Sequence, residues 1–134
     1  MKVTATGLLD EQPGVACTRT FAGLPESVGA ARSWVAGFVP GSPAAGDAAL
    51  LTSELVTNAI LHSASRLPGG QVMVSVRATD DMVRVDVTDQ GAVPPDLAAH
   101  RSLGLGLAIV AALADVFGAD GCDRWFALQT GGAR

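Results

Sequence analysis

The chain has 134 residues, of which 49% are hydrophobic and 16% charged, and its formal net charge is −4. That length and apolar content suit one domain with a single core and exclude a disordered polar chain. The acidic balance, with no basic run interleaved with aromatics, argues against nucleic acid as a direct partner, and no apolar stretch reaches membrane-spanning length because Asp115 interrupts the longest one.

Residues 1–14 read as a loose leader without a signal-peptide core, ending at Pro13-Gly14; residues 15–134 read as one domain. A soluble, cytoplasmic protein is expected. Residues 15–21 form an expected first strand. Leu24-Pro25-Glu26-Ser27 opens a helix to about residue 39, where Pro40-Gly41-Ser42-Pro43 breaks it. Its apolar stripe of Val28, Ala31, Val35 and Phe38, with Trp34 beside it, is first a core-packing face. Trp34, Phe38 and the neighbouring sheet edge are also candidate surfaces for a protein partner or a second copy.

A second helix is expected over 44–62. At about 100° per residue, Glu54, Asn58 and His62 fall in one narrow polar stripe, while Leu55, Val56, Ala59 and Ile60 cover the opposite face. Alone, this seam reads equally as the lining of a cavity or as the solvated edge of a half-buried helix. A carboxylate and an amide oxygen one turn apart have the chemistry of a base and a hard-metal ligand. Valines 72, 74 and 76, then 83, 85 and 87, alternate with other residues across Thr79-Asp80-Asp81, which predicts an antiparallel hairpin with one buried face. The second strand delivers Asp89-Gln90-Gly91, which in isolation reads first as an ordinary Asp-x-Gly turn and only second as a base-binding loop.

Arg101 to Val110 follow, with Gly104 and Gly106 immediately before an apolar helix expected over 105–117 and stopped by Gly118 at its C′ position. Glycines there let backbone N–H groups and the positive helix end approach an anion, though a glycine-softened helix start is an equal reading. The segment is neither a Walker A loop nor a dinucleotide fingerprint, since no Gly-Lys-Ser/Thr follows and Ile109 stands at the third glycine. Residues 122–128 read as a last strand and 129–134 as a frayed tail. Cys17 and Cys122 sit in expected strands among apolar residues and read as buried reduced thiols; with His62 and His100 the only histidines, a zinc site is not expected. The order strand, helix, helix, strand, strand, helix, strand predicts an α+β, two-layer sandwich, with helices on one face of a mixed, mostly antiparallel sheet.

Three segments together resemble the GHKL (Bergerat-fold) ATPase superfamily. Ser53-Glu54-Leu55-Val56-Thr57-Asn58-Ala59 resembles the N-box, Asp89-Gln90-Gly91 the first glycine box, and Leu103-Gly104-Leu105-Gly106-Leu107 the second. The resemblance spans about residues 20–128. Phe21 to Pro25 and Ser27-Val28-x-x-Ala31-Arg32 are similar to the opening of small bacterial ATP-binding proteins related to anti-sigma-factor serine kinases. The resemblance implies ATP and Mg²⁺ as cofactors. It implies Glu54 as general base, Asn58 as Mg²⁺ ligand, His62 near the phosphates, and Asp89 reading the adenine amine with Gly91 giving room beside the base. Gly104, Leu105, Gly106 and Leu107 would hold phosphate through backbone amides. Two positions depart from the pattern: Val93 and Ser102 stand where glycines are common, and only twelve residues separate Gly91 from Gly104, so the lid is short. The expected function is an ATP-binding regulatory switch of the serine protein kinase, anti-sigma type, phosphorylating a protein partner such as a sigma-factor or anti-anti-sigma-like regulator. A non-catalytic nucleotide-dependent interaction module and a detached histidine-kinase catalytic domain are the alternatives.

Overall fold

Alternating valines build the centre of the sheet. Val72, Val74 and Val76 on one strand and Val83, Val85 and Val87 on the next are all at most 2% exposed, because the strand period of two points each set to the same side. The computed structural model describes residues 14–91 and 105–131. In chain order it has β1 (Gly14–Ala22), α1 (Glu26–Ala36), α2 (Ala45–Leu61), a short 3₁₀ turn (Ala64–Arg66), β2 (Gln71–Thr79), β3 (Met82–Thr88), α3 (Leu105–Leu113), β4 (Val116–Asp120) and β5 (Asp123–Gln129). The five strands form one sheet in the order β1-β2-β3-β5-β4.

The architecture is the expected α+β two-layer sandwich. Its described strand pairings are all antiparallel rather than mixed. Val35 of α1, Leu51, Leu55 and Val56 of α2, and Val110 of α3 meet the valines, Phe126 and Leu128 in one core cluster. α1 presents Ser27, Ala31 and Val35 inward at a spacing of four, and Glu26 in its first turn complements the helix dipole. Trp34 lies edge-on between Phe21 and Phe38, with ring centroids 6.0 and 5.1 Å away. The β2–β3 turn forms where Thr79-Asp80-Asp81 places it, with the Thr79 hydroxyl accepting from the Met82 amide at 3.1 Å.

Three expectations need correction. The third helix stops at Leu113, and Gly118 is a strand residue of β4, an element the sequence reading missed. Asp115 explains the early stop. Its N–H donates to the Ala127 carbonyl at 3.1 Å and its carboxylate accepts from the Gln129 amide at 2.7 Å, so the chain is fastened to β5 just after the helix. Val116 and Phe117 then favour an extended backbone. Gly118 is needed because a Cβ there would lie 2.8 Å from the Trp125 indole nitrogen. Second, Cys17 and Cys122 are both exposed free thiols. Cys17 pairs with Val76 on the helix-bearing side, but β1 is an edge strand exposed from residue 15 to 20 and buried only at Phe21. Cys122 belongs to the turn between β4 and β5, so the last strand begins at Asp123. Third, α1 ends at Ala36, capped by the Gly37 amide, rather than near residue 39. The expected leader, residues 1–14, lies outside the described residues apart from Gly14, which opens β1.

Candidate functional site

The polar seam runs along a helix with one buried face. In α2, Leu51, Thr52, Ser53, Leu55, Val56, Ala59 and Ile60 are buried, whereas Glu54, Asn58 and His62 are each half-buried. The stripe lies between this buried face and two exposed side chains, Leu50 and Leu61, at 42% and 50% exposure. Residues four apart on a helix have Cβ atoms about 5–6 Å apart. Glu54 and Asn58 therefore address one locality, with His62 a further turn along at the helix C-cap, its amide bonded to the Asn58 carbonyl at 2.9 Å.

Beyond His62 the chain turns through two serines that tie the seam to the Asp89 loop. The buried Ser63 hydroxyl donates to the Ala59 carbonyl and accepts from the Ser65 amide at 3.0 Å, which caps the 3₁₀ turn. The Ser65 hydroxyl accepts from the Gln90 amide at 3.1 Å, and the Ala64 amide donates to the Gly91 carbonyl at 2.8 Å. Gln90 in turn accepts from the Gln71 amide through Oε1 at 2.8 Å. The Ser65 carbonyl is wedged against two glycines: a Cβ on Gly23 or Gly70 would stand 1.8 or 1.9 Å from its oxygen. The sequence reading assigned no role to Ser63, Ser65, Gly23 or Gly70. The Ser-x-Ser spacing after a helix end was a visible capping signal, but its partners lie far away in sequence.

The Asp89 loop is held on both sides of its carboxylate. One oxygen accepts from the Gly91 amide at 2.7 Å; the other lies 3.5 Å from an Arg124 guanidinium nitrogen. The Asp89 amide donates to the Cys122 carbonyl at 3.0 Å, continuing the β3–β5 ladder. Gly91 has φ +91°, a conformation that suits glycine, and a Cβ there would meet the Cys122 sulfur at 3.7 Å. Arg124, facing the helix side of β5 opposite Val87, is a further residue that the sequence reading missed.

Of the sequence-assigned residues, the structure joins the α2 seam and Asp89-Gln90-Gly91 through the serine turn. Gly104 lies outside the described residues, as do Val93 and Ser102. Leu105, Gly106 and Leu107 open α3, which packs on α2, so the backbone of the second glycine segment starts a helix as expected. Among the described residues no group of three or more His, Cys, Asp or Glu side chains gathers around one point. No described helix is long and apolar enough to cross a membrane.

The family model of the histidine kinase-like ATPase domain matches residues 21–122, a stretch that holds the seam, the Asp89 loop and the opening of α3. The chain belongs to this family. Among curated relatives, the anti-sigma F factor of Geobacillus stearothermophilus is 35% identical over 85 residues, which cover 60% of this chain and 58% of that protein. The chain therefore matches less than two thirds of that relative's length. The seam, the Asp89 loop and the α3 start all lie within this matched ATPase domain.

Proposed function

We propose that the chain is a cytoplasmic, ATP-binding regulatory switch that phosphorylates a serine on a protein partner of the sigma-factor regulatory class. The single observation that carries this reading is the hydrogen-bonded bridge from the Glu54–Asn58–His62 seam, through Ala64 and Ser65, to the Asp89 loop. It fastens the Asp89 loop to the end of the helix that carries the seam, which supports a shared role for the two segments.

Asp89 accepts the adenine amino group on a carboxylate already oriented by the Gly91 amide. Gly91 keeps the space beside the base open. Gly104, Gly106 and the amides at the start of α3, with Leu105 and Leu107, hold the phosphates, where the positive helix end favours negative charge. His62 lies toward the phosphate end of the seam. The donor set fits Mg²⁺ carried by the nucleotide, because that ion keeps waters and phosphate oxygens and needs only one or two protein ligands. Asn58 supplies one such oxygen; the metal, when bound, neutralises phosphate charge. Glu54 takes the proton from the partner's serine hydroxyl. The serine oxygen then bonds to the γ-phosphorus, the bond from that phosphorus to the β–γ bridging oxygen breaks, and ADP leaves.

Calorimetric titration of ATP and ADP, with and without Mg²⁺, tests the reading against wild type and Asn58→Ala. Saturable binding that requires Mg²⁺ and weakens at least about tenfold in Asn58→Ala supports it. No binding by folded wild-type protein overturns it. Nucleotide-dependent capture of a regulator with no phosphoprotein formed would instead assign the non-catalytic interaction module.

A further inference from the structure

The Asp89 loop presents two groups of opposite hydrogen-bonding character side by side. Asp89 is largely enclosed, its side chain 11% exposed, whereas Arg124 is 40% exposed. The ionised carboxylate can only accept; the guanidinium can only donate and carries five N–H groups in a rigid fork. Arg124 spends one of them on Asp89 at the long distance of 3.5 Å. Its position is fixed by the sheet. Arg124 pairs with Val87 in the β3–β5 register, and Asp89 lies two residues beyond Val87, so both side chains leave the same face at the same end.

We infer that Arg124 is a specificity-determining residue of the base site: it donates a hydrogen bond to the ring nitrogen that flanks the exocyclic amine bound by Asp89. This inference rests on the adenine-reading role proposed for Asp89. An aminopurine edge carries a donor, the amine, next to an acceptor, the ring nitrogen at position 1 or 7. A carboxylate beside a guanidinium is the complementary acceptor and donor. Each Asp89 oxygen carries one hydrogen bond, from the Gly91 amide or from Arg124, and keeps a second acceptor site; an amine bound at the oxygen beside Arg124 brings the ring nitrogen toward the guanidinium. Asp89 alone would read only the amine. With Arg124 the site reads two adjacent atoms, and the exposure of the guanidinium leaves its remaining donors available to a ligand.

The test is calorimetric binding of ATP, 1-deaza-ATP and 7-deaza-ATP to wild type and to Arg124→Ala. Each analogue replaces one ring nitrogen with CH and keeps the amine and phosphates. The expected result is that wild type binds one of the two analogues about tenfold more weakly than ATP, the loss of one charge-assisted hydrogen bond. Arg124→Ala then binds that analogue and ATP alike. The ratio is taken within each variant, so an altered folded fraction does not enter it. Equal binding of all three nucleotides by wild type overturns the inference without any variant. A preference that survives in Arg124→Ala overturns it too, because Arg124 then only positions Asp89. Failure of folded wild type to bind ATP at all would remove the nucleotide reading and this one together, a result distinct from both.

Discussion

The hydroxyl of Ser65 accepts a hydrogen bond from the backbone amide of Gln90, 25 residues further along, at 3.1 Å. Ser65 is fully buried, so Ser65→Ala leaves the Gln90 amide without this partner. The expected loss of stability is about 1–3 kcal/mol, measured by urea unfolding. Faster hydrogen exchange at the Gln90 amide is the local signature. An unchanged exchange rate there would rule out the bond as the loop's anchor.

Glu54 tests the chemistry without disturbing the core, since it is half-buried on the seam. Glu54→Gln keeps the shape and removes the base. Nucleotide affinity should match wild type while phosphoryl transfer to the partner falls by about 10²- to 10⁴-fold. Transfer at the wild-type rate would assign the base elsewhere.

Thr52 carries the opposite kind of defect. It is fully buried in α2 and its hydroxyl has no hydrogen-bond partner among the described residues. Thr52→Val keeps the branched shape and removes the stranded polar atom, so the variant should be more stable by about 1 kcal/mol. A lower unfolding midpoint would show that the hydroxyl is used.

Gly118 and Trp125 form the fourth test. A Cβ at residue 118 would stand 2.8–2.9 Å from three atoms of the indole. That ring is only 7% exposed and stacks on Arg84, whose guanidinium lies 4.0 Å from the ring centre and forks onto Asp86 at 2.8 and 3.0 Å. Gly118→Ala must move the indole, at about 1–3 kcal/mol. Denaturant unfolding should register the loss, and tryptophan fluorescence should change. Wild-type values for both would mean that the strands part without strain.

The elements most legible in the sequence were those whose periodicity is local. The α2 seam and the valine hairpin fell where their spacing placed them, because a side chain's direction follows directly from the helix or strand period. β4 was not legible. Leu113, Phe117 and the glycine after them continue a helical pattern, and the decisive facts are Asp115 bonding to β5 and Trp125 occupying the space over Gly118. Cys17 shows the same limit in reverse: alternation assigns it to the helix-bearing side, but not whether a helix reaches that far along an edge strand. Ser65 and Arg124 gain their meaning from partners 25 and 35 residues away in sequence. Small serines after a helix and an arginine in a short strand carry no periodic signal of that kind.

The strand order has a consequence for how the surroundings of Asp89 come into being. β5 lies between β3 and β4, although β4 precedes it along the chain. The β4–β5 hairpin therefore joins the sheet through its second strand. Asp89 receives both its ladder partner, the Cys122 carbonyl, and its guanidinium neighbour from that hairpin. A nascent chain that has emerged only as far as Asp115 already contains all three recognised motifs and still lacks both of these partners of Asp89. The base discrimination proposed for Asp89 and Arg124 is complete only once β4 and β5 have followed, a segment that carries none of those motifs.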